Sequence, residues 1–209
     1  METVSTDLVH ERNQVFERSK ENFLSYQGYR ACIAALHEKK QVTGHEQSKS
    51  LLNYSLLNEQ RMTRWDKHYT PSPAMVAAIE AMPAHWNVVV IAEGWCGDAA
   101  QIVPALHAIV QLRKDWQFNV VLRDENPDWM NLYLTNGAKS IPIAVVFDDK
   151  GKYRFHWGPR PSEAIALVVD AKRNEIPAEQ WKNDLHKWYA FNKQMALEAE
   201  WIALFESQP

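Results

Sequence analysis

The stretch "VVVIAEGWCGDAA", residues 88–100, decides the fold of this chain. Its first part, residues 88–91, is a continuous β-branched run, which is typical of a strand buried on both faces of a sheet. Apolar residues then recur at helical spacing at positions 102, 106, 109 and 112. Cys96 therefore lies between a buried strand and the start of a helix, at the edge of the sheet where α/β proteins place their reactive groups.

The segments that follow predict an α/β fold with a mixed sheet. Strands are predicted over 118–122, 143–147 and 153–157, and helices over 127–135, capped by "NG" at 136–137, and over 162–172. A strand, a helix and a second strand in this order imply parallel pairing through a right-handed crossover. The turn "DDKG", residues 148–151, predicts that the last two strands pair as an antiparallel hairpin. We therefore expect a mixed central sheet flanked by helices.

Helices are predicted on both sides of this α/β segment. Helical spacing runs from about residue 6 to 68, with a break at Gly44 and a second helix over 47–68. A short helix is predicted over 73–82 and a last helix over 178–206. We predict a helical N-terminal extension packed on the core (1–69), the α/β domain (70–175) and a C-terminal helix (176–209).

Composition and net charge argue against several classes of function for this chain. The 209 residues carry a formal net charge of −3, which argues against a nucleic-acid partner because phosphate binding needs a basic face. With only two cysteines, the chain does not belong to the class of small secreted domains that several disulfides hold together. The first twenty residues are polar, and the longest apolar run, 88–92, is too short to span a bilayer. We expect a cytoplasmic protein without a membrane segment, and without a metal, since the eight histidines show no ligand spacing.

Several motifs together resemble the thioredoxin superfamily. "WCGD" ends the first central strand, "SIP" precedes the hairpin, and 142 − 96 = 46 residues separate Cys96 from Pro142. The stretches "LNEQRM", "EGWCGDAA", "LTNGAKSIP" and "WGPRP" are similar to those of uncharacterised bacterial thioredoxin-family proteins with a WCGD site. The resemblance covers about residues 73–174 and implies a thioredoxin-like fold, to which the helical extensions at both ends are additions.

The residues around Cys96 predict a nucleophilic thiol. The positive end of a helix dipole and its free N–H groups stabilise a thiolate and lower the pKa of the thiol. Gly97 leaves room for a substrate to approach, and Trp95 would form an apolar wall beside the sulfur. Asp98 has two uses that the sequence leaves open: a cap of the first helical turn, or proton transfer at the thiol.

Two further residues enter the predicted substrate site. The resemblance implies that Pro142 follows a cis peptide bond and faces Cys96, which leaves the backbone of Ile141 to pair with an extended substrate. Without the resemblance, an ordinary trans proline at the start of a strand explains Pro142 equally well. Arg160, in "WGPRP", would offer a charge to an anionic substrate or would lie on the surface as arginines commonly do.

Ala99 stands where a two-cysteine site has its second thiol, so a mixed disulfide at Cys96 cannot be resolved within the motif. Three routes stay open: an external thiol such as glutathione resolves it, Cys32 resolves it, or the site binds without turnover. Cys32 lies on an apolar helix face and is expected to be a small buried hydrophobe. An iron–sulfur monothiol glutaredoxin is disfavoured because the Gly-Gly pair of that class is missing, and no bound cofactor is expected.

The resulting hypothesis is a monothiol thiol–disulfide oxidoreductase that acts on protein or small-molecule thiols and disulfides. The alternative is a non-catalytic binding module that uses either the Cys96 and Pro142 surface or the aromatic terminal helices to hold a protein partner. Sequence leaves open whether the chain is an enzyme, and what its substrate and its oligomeric state are.

Overall fold

The computed structural model describes residues 5–82 and 85–208. Residues 1–4, 83–84 and 209 lie outside this part, and with them the outer ends of the predicted terminal segments. Within it a mixed sheet has the strand order β1-β3-β2-β4-β5. The strands are β1 (Leu24–Ser25), β2 (Asn87–Ala92), β3 (Gln117–Leu122), β4 (Ile143–Phe147) and β5 (Tyr153–Trp157). β2 and β3 are parallel, and the other neighbouring pairs are antiparallel.

Helices pack on this sheet: α1 (Thr6–Ser19), α2 (Tyr26–Glu38), α3 (Lys49–His68), α4 (Pro73–Glu80), α5 (Gly97–Val110), α6 (Pro127–Met130), α7 (Ser162–Arg173), α8 (Ala178–Asn192) and α9 (Met195–Glu206). The first four begin at serines, Ser5, Ser25, Ser48 and Ser72, whose side chains accept a hydrogen bond from the backbone N–H three residues later. Such caps satisfy donors that have no partner within the helix, so the sequence sets these boundaries locally. The mixed sheet flanked by helices confirms the predicted fold class. None of the helices in the described residues is long and apolar enough to cross a membrane.

The centre of the sheet is the β-branched strand β2. Residues 88–92 are fully buried, between β3 on one side and β4 on the other. Such a strand has no water-facing side, which is why its sequence is apolar throughout rather than alternating. Its carboxyl end delivers residues 93–96 to the edge of the sheet, where α5 begins.

Three predicted elements differ in the structure. The sequence did not predict β1, because only two residues between helical segments pair with β3, Leu24 opposite Val120 and Ser25 opposite Asn119. The predicted helix 127–135 is wrong beyond Met130, and the chain instead forms an isolated bridge between Thr135 and Ala138. The predicted single helix 178–206 is interrupted at Lys193 and Gln194, whose φ angles of 51° and 71° are left-handed and cannot continue a right-handed helix.

The terminal helices share the apolar core of the α/β segment. The buried cluster includes Phe16 of α1, Met62 of α3 and Trp201 and Phe205 of α9 together with the strands. Phe16 stacks on Phe147 of β4 with ring centroids 4.3 Å apart. The division into 1–69, 70–175 and 176–209 stays a prediction, and the structure adds that these segments bury their apolar faces against one another.

Candidate functional site

Cys96 is the N-cap residue of α5. Its backbone N–H donates to the carbonyl of Glu93 (3.1 Å), which closes the loop after β2 into a tight turn. Its Sγ accepts a hydrogen bond from the N–H of Ala99 (3.5 Å) and donates one to the carbonyl of Ile141 (3.4 Å). The thiol therefore lies between the positive end of a helix and the segment before β4, as the resemblance to the thioredoxin superfamily implies.

Burial opposes ionisation of this thiol. Only 7% of Cys96 is exposed, and desolvation, followed by the charge of Asp98, raises its pKa to about 12. The N–H groups of Ala99 and Asp98 and the charge of Arg160 act in the opposite direction but do not compensate. The prediction of a lowered pKa was therefore wrong for this arrangement, because the sequence could not show how much of the chain covers the sulfur.

Asp98 is bound by side chains that come from distant parts of the chain. Its Oδ1 accepts from the hydroxyl of Tyr189 on α8 (2.9 Å), and its Oδ2 lies 2.5 Å from Nη2 of Arg160. Of the two uses that the sequence leaves open for Asp98, a cap is not among its hydrogen bonds, because the Cys96 sulfur accepts the N–H of Ala99 and the carboxylate binds Tyr189 and Arg160. Arg160 in turn is half-buried and pairs with Asp98, so it is not a free surface arginine, and its binding of an anionic substrate stays a prediction.

The C-terminal helix α8 covers the start of α5. A Cβ placed on Gly97 would lie 2.9 Å from Cε1 of His186, so the space that the sequence analysis expects to be open for a substrate at Gly97 is occupied by this imidazole. Nδ1 of His186 is 3.1 Å from the Gln101 amide, and Gln101 accepts from the indole of Trp65 (2.6 Å). Burial and then the charges of Arg61, Arg160 and Lys182 lower the pKa of His186 to about 4.

The loop before Cys96 is held by the N-terminal segment. The Gly94 N–H donates to Oγ1 of Thr43 (2.9 Å), and Nδ2 of Asn58 donates to the Gly94 carbonyl (3.0 Å). Nη1 of Arg61 donates to Oδ1 of Asn58 (2.7 Å), so the "LNEQRM" stretch reaches the site through both residues. Oε1 of the buried Glu93 accepts from the N–H of Asp124 (2.9 Å).

The proline side of the site is closely packed. The Ile141–Pro142 and Gly158–Pro159 peptide bonds are both cis. Gly158 has a φ of 133°, and a Cβ there would lie 2.3 Å from the Pro142 carbonyl oxygen, so only glycine fits beside this loop. Trp95 is half-buried, with the Arg123 guanidinium 4.7 Å above its ring. The Ile141 carbonyl is occupied by the Cys96 thiol, so pairing of this carbonyl with a substrate requires that the thiol release it.

Cys32 is a free thiol on α2 and is half-buried against the core rather than enclosed by it. Burial and then the charges of Glu125 and Glu93 raise its pKa, which disfavours the thiolate. Nothing in the structure pairs it with Cys96. Among the described residues, no group of three His, Cys, Asp or Glu side chains is placed to hold a metal ion.

The structure brings Cys96 to Ile141, the residue before Pro142, and Asp98 to Arg160. Trp95 and Gly97 adjoin Cys96 in the chain, and the contacts of their side of the site are with Arg123 and His186. Sequence reasoning missed Asn58, Arg61, His186 and Tyr189. The "LNEQRM" motif was a usable signal for the first two residues, although it suggested no role. His186 and Tyr189 gave no local signal, since their spacing is that of any helix face.

Comparisons with known proteins agree with this geometry. The family model Thioredoxin_9, described as thioredoxin, matches residues 44–182. No curated protein sequence is significantly similar to the chain.

Two solved structures are similar over nearly the whole chain. A protein of unknown function from Pseudomonas aeruginosa is 15% identical with a TM-score of 0.52, and the match covers 87% of this chain and 97% of that one. An HIV epitope scaffold is 14% identical with a TM-score of 0.51, covering 88% of this chain and 99% of that one. At this identity the likeness concerns the fold, and it extends past the family match into the terminal helices. Since the family model covers well over half of the chain, the chain belongs to the thioredoxin family.

Proposed function

We propose that the chain is a thiol–disulfide oxidoreductase of monothiol type with Cys96 as its nucleophile. The observation that carries this proposal is the position of Sγ, 3.5 Å from the Ala99 N–H at the start of α5 and 3.4 Å from the Ile141 carbonyl beside Pro142. Helix N–H groups stabilise the thiolate that forms when the thiol loses its proton, and the same loss frees the Ile141 carbonyl for a substrate.

The exchange takes two steps. The Cys96 thiolate attacks a disulfide R–S–S–R, forms Cys96–S–S–R and releases RS⁻. Because Ala99 cannot act as a second thiol, a small external thiolate attacks the sulfur of R, restores the Cys96 thiolate and leaves with R as a new disulfide. Glutathione or another small thiol of a reducing cytoplasm fits this role, and no bound cofactor is required.

The substrate surface in this proposal consists of Trp95, Gly97, Ile141 and Pro142. Trp95 and Gly97 are half-buried, so the enclosed sulfur is flanked on both sides by residues that reach solvent. A small movement of the Tyr189 end of α8 away from Asp98 would hydrate the thiol and lower its pKa, since burial is the main cause of the raised value. In this proposal the carboxylate of Asp98, the residue two positions after Cys96, takes up the proton once Tyr189 has released it.

The enclosure of Cys96 favours a second candidate function, a binding module that keeps the fold and has lost the exchange chemistry. In that function, the surface around Cys96 and Pro142 or the terminal helices hold a protein partner. The exposed Phe191 and Met195 at the end of α8 and the start of α9 are the apolar residues available for such a contact.

One experiment distinguishes the two functions. The protein is incubated with glutathione disulfide, and mass spectrometry follows the mixed disulfide at Cys96 and its removal by reduced glutathione. The oxidoreductase forms and releases this adduct, Cys96→Ser does not form it, and Cys32→Ser behaves as wild type. If wild-type protein forms no mixed disulfide at Cys96 after hours at pH 8, the oxidoreductase function is contradicted. The binding module is then the remaining candidate function.

A further inference from the structure

His186 covers Gly97 beside Cys96, and this side of the thiol is called the entrance here; two basic side chains without a carboxylate partner, Arg61 and Lys182, act on His186. Arg61 extends from α3, and its Nη1 lies 3.9 Å from the Cβ position of Gly97. Lys182 extends from α8, one turn before His186, and its Nζ lies 5.3 Å from the ring centroid of Tyr54 and 5.8 Å from that of Trp181. No ion pair among residues 5–82 and 85–208 includes either Arg61 or Lys182.

The acidic side chains of this region, except Glu179 near the start of α8, already form ion pairs. Asp98 binds Arg160 and Tyr189, and Asp184 of α8 pairs with Lys187. Glu59 of α3 pairs with Arg30. Arg61 and Lys182 therefore outnumber the one carboxylate of α3 and α8 without an ion pair, Glu179, although the chain as a whole carries a net charge of −3.

His186 lies close to three positively charged side chains. Its imidazole contacts Gly97, and the charges of Arg61, Arg160 and Lys182 each act on it. Burial lowers the pKa of Arg61 as well, which shows that its guanidinium is partly withdrawn from water. Withdrawing a cation from water without a counter-ion costs folding free energy, and an anion that binds there recovers it.

Arg61 is also held in place. Its Nη1 donates to Asn58, which in turn holds the Gly94 carbonyl of the Cys96 loop, so the guanidinium is fixed relative to the sulfur. Lys182 is positioned against two aromatic rings that contribute cation–π attraction and an apolar floor. A rigid cation and a second cation across the entrance match a small molecule with a carboxylate near its sulfur.

We propose that Arg61 and Lys182 form an anion subsite that selects carboxylate-bearing small thiols and disulfides as the exchange partners of Cys96. This inference rests on the proposed oxidoreductase function and names its substrate class. In the first exchange step the subsite holds the carboxylate of R–S–S–R while the Cys96 thiolate forms Cys96–S–S–R and RS⁻ leaves. In the second step it attracts the anionic thiolate that removes R.

The test compares two disulfides that differ in charge. Dithiobis(nitrobenzoate) carries a carboxylate on each half, dithiodipyridine is neutral, and both release a coloured thiol, so one absorbance assay gives both rate constants. In Arg61→Gln and Lys182→Gln we expect the rate with the anionic disulfide to fall about threefold to tenfold, as for the loss of a partly buried charge contact. The rate with the neutral disulfide should stay within about twofold of wild type.

Lys187→Gln is the matched control, because it removes an exposed lysine that pairs with Asp184 on the same helix. It should leave both rates unchanged. Equal losses with both disulfides, or no loss with the anionic one, would overturn the subsite. Arg61→Gln also removes the hydrogen bond to Asn58 and could therefore disturb the loop before Cys96. Lys182→Gln avoids this problem, because no hydrogen bond of Asn58 involves Lys182.

A binding measurement separates failure of the subsite from failure of the oxidoreductase. If Cys96 reacts with neither disulfide, the proposed function is overturned, and calorimetric titration of Cys96→Ser with S-methylglutathione then tests the subsite without exchange chemistry. The subsite predicts binding that weakens about threefold or more when Arg61→Gln or Lys182→Gln is added, but not when Lys187→Gln is added. Absence of binding to Cys96→Ser would overturn it.

Discussion

At the scale of single residues, two effects act in opposite directions on ionisation of the Cys96 thiol: the start of α5 favours it, and burial opposes it. The Ala99 N–H favours a negative sulfur at Cys96, whereas the enclosing chain and Asp98 disfavour it. With a pKa raised to about 12, the thiol is almost entirely protonated at neutral pH. The reactivity of Cys96 is therefore set by how readily its surroundings open and by the charge of Asp98.

Asp98→Asn should speed alkylation of Cys96 by iodoacetamide. Removing the carboxylate removes a charge that raises the thiol pKa, and the rate at pH 8 should rise about threefold to tenfold. In wild type the rate should climb about tenfold per pH unit from pH 7 to 9 without a plateau, because ionisation is far from complete. Asp184→Asn, an exposed carboxylate of α8, is the control and should match wild type.

His186 gives the folded state a dependence on pH. Its folded pKa of about 4 lies below its ordinary value of 6.5, so the unfolded state binds more protons between these values. The stability that neutral His186 contributes is complete above pH 6.5 and is lost as the pH falls towards 4. Denaturant unfolding of His186→Gln should show a shallower loss between pH 6.5 and 4.5 than wild type or His68→Gln, which changes an exposed histidine. Parallel curves would contradict this assignment.

At the scale of elements, α8 covers the start of α5. Tyr189 reaches Asp98, His186 reaches Gln101, and just after α8 the Gln194 amide donates to the Gln101 carbonyl (2.7 Å). The left-handed residues Lys193 and Gln194 then turn the chain so that α9 packs on α4 rather than continuing along α8. This part of the chain thus anchors the C-terminal segment to the helix start at which Cys96 lies.

Tyr189→Phe tests this cover. Loss of the hydroxyl leaves the buried Asp98 with one fewer donor and should lower the free energy of unfolding by about 1–3 kcal/mol. Because the end of α8 is then held less firmly, iodoacetamide should modify Cys96 faster than in wild type. Phe191→Leu changes an exposed residue of the same helix and should alter neither quantity. A destabilised variant with unchanged alkylation would show that Tyr189 supports the fold without gating the thiol.

At the scale of the whole molecule, the terminal segments complete the core. Trp201 and Phe205 of α9 contact Phe155 of β5, and Trp86 just before β2 contacts Phe205. Residues from all three predicted segments lie in one buried cluster, which predicts cooperative unfolding. Residues 70–175 expressed alone would leave this apolar surface open to water.

Trp201→Ala should destabilise the entire protein. The side chain is fully buried, and truncating such a residue costs about 3–5 kcal/mol through lost burial and the cavity left behind. Denaturant unfolding followed by far-ultraviolet circular dichroism and by Cys96 accessibility should shift together. Phe191→Ala, at a side chain that is 81% exposed, is the control. If Cys96 became accessible well before the secondary structure melted, α9 would be an independent unit rather than part of the core.

The sequence by itself determined the central elements and their order. The β-branched run of β2 and the "DDKG" turn are local signals whose meaning does not depend on the rest of the chain. The same holds for the serine caps, because a cap satisfies N–H groups within one turn. The resemblance that "WCGD" and "SIP" carry to the thioredoxin superfamily implies that Cys96 and Pro142 lie close together.

Only the tertiary structure decided the environment of the sulfur. The pKa of Cys96 and the partners of Asp98 depend on the loop after β5, which carries Arg160, and on α8, which carries Tyr189, and both reach the site from far along the chain. A helix periodicity reveals which face is apolar but not which polar side chain meets which partner, so His186 and Tyr189 carried no signal. Desolvation depends on everything that surrounds a group, and for this reason the sequence placed Cys96 at the start of α5 yet gave the wrong sign for the shift of its pKa.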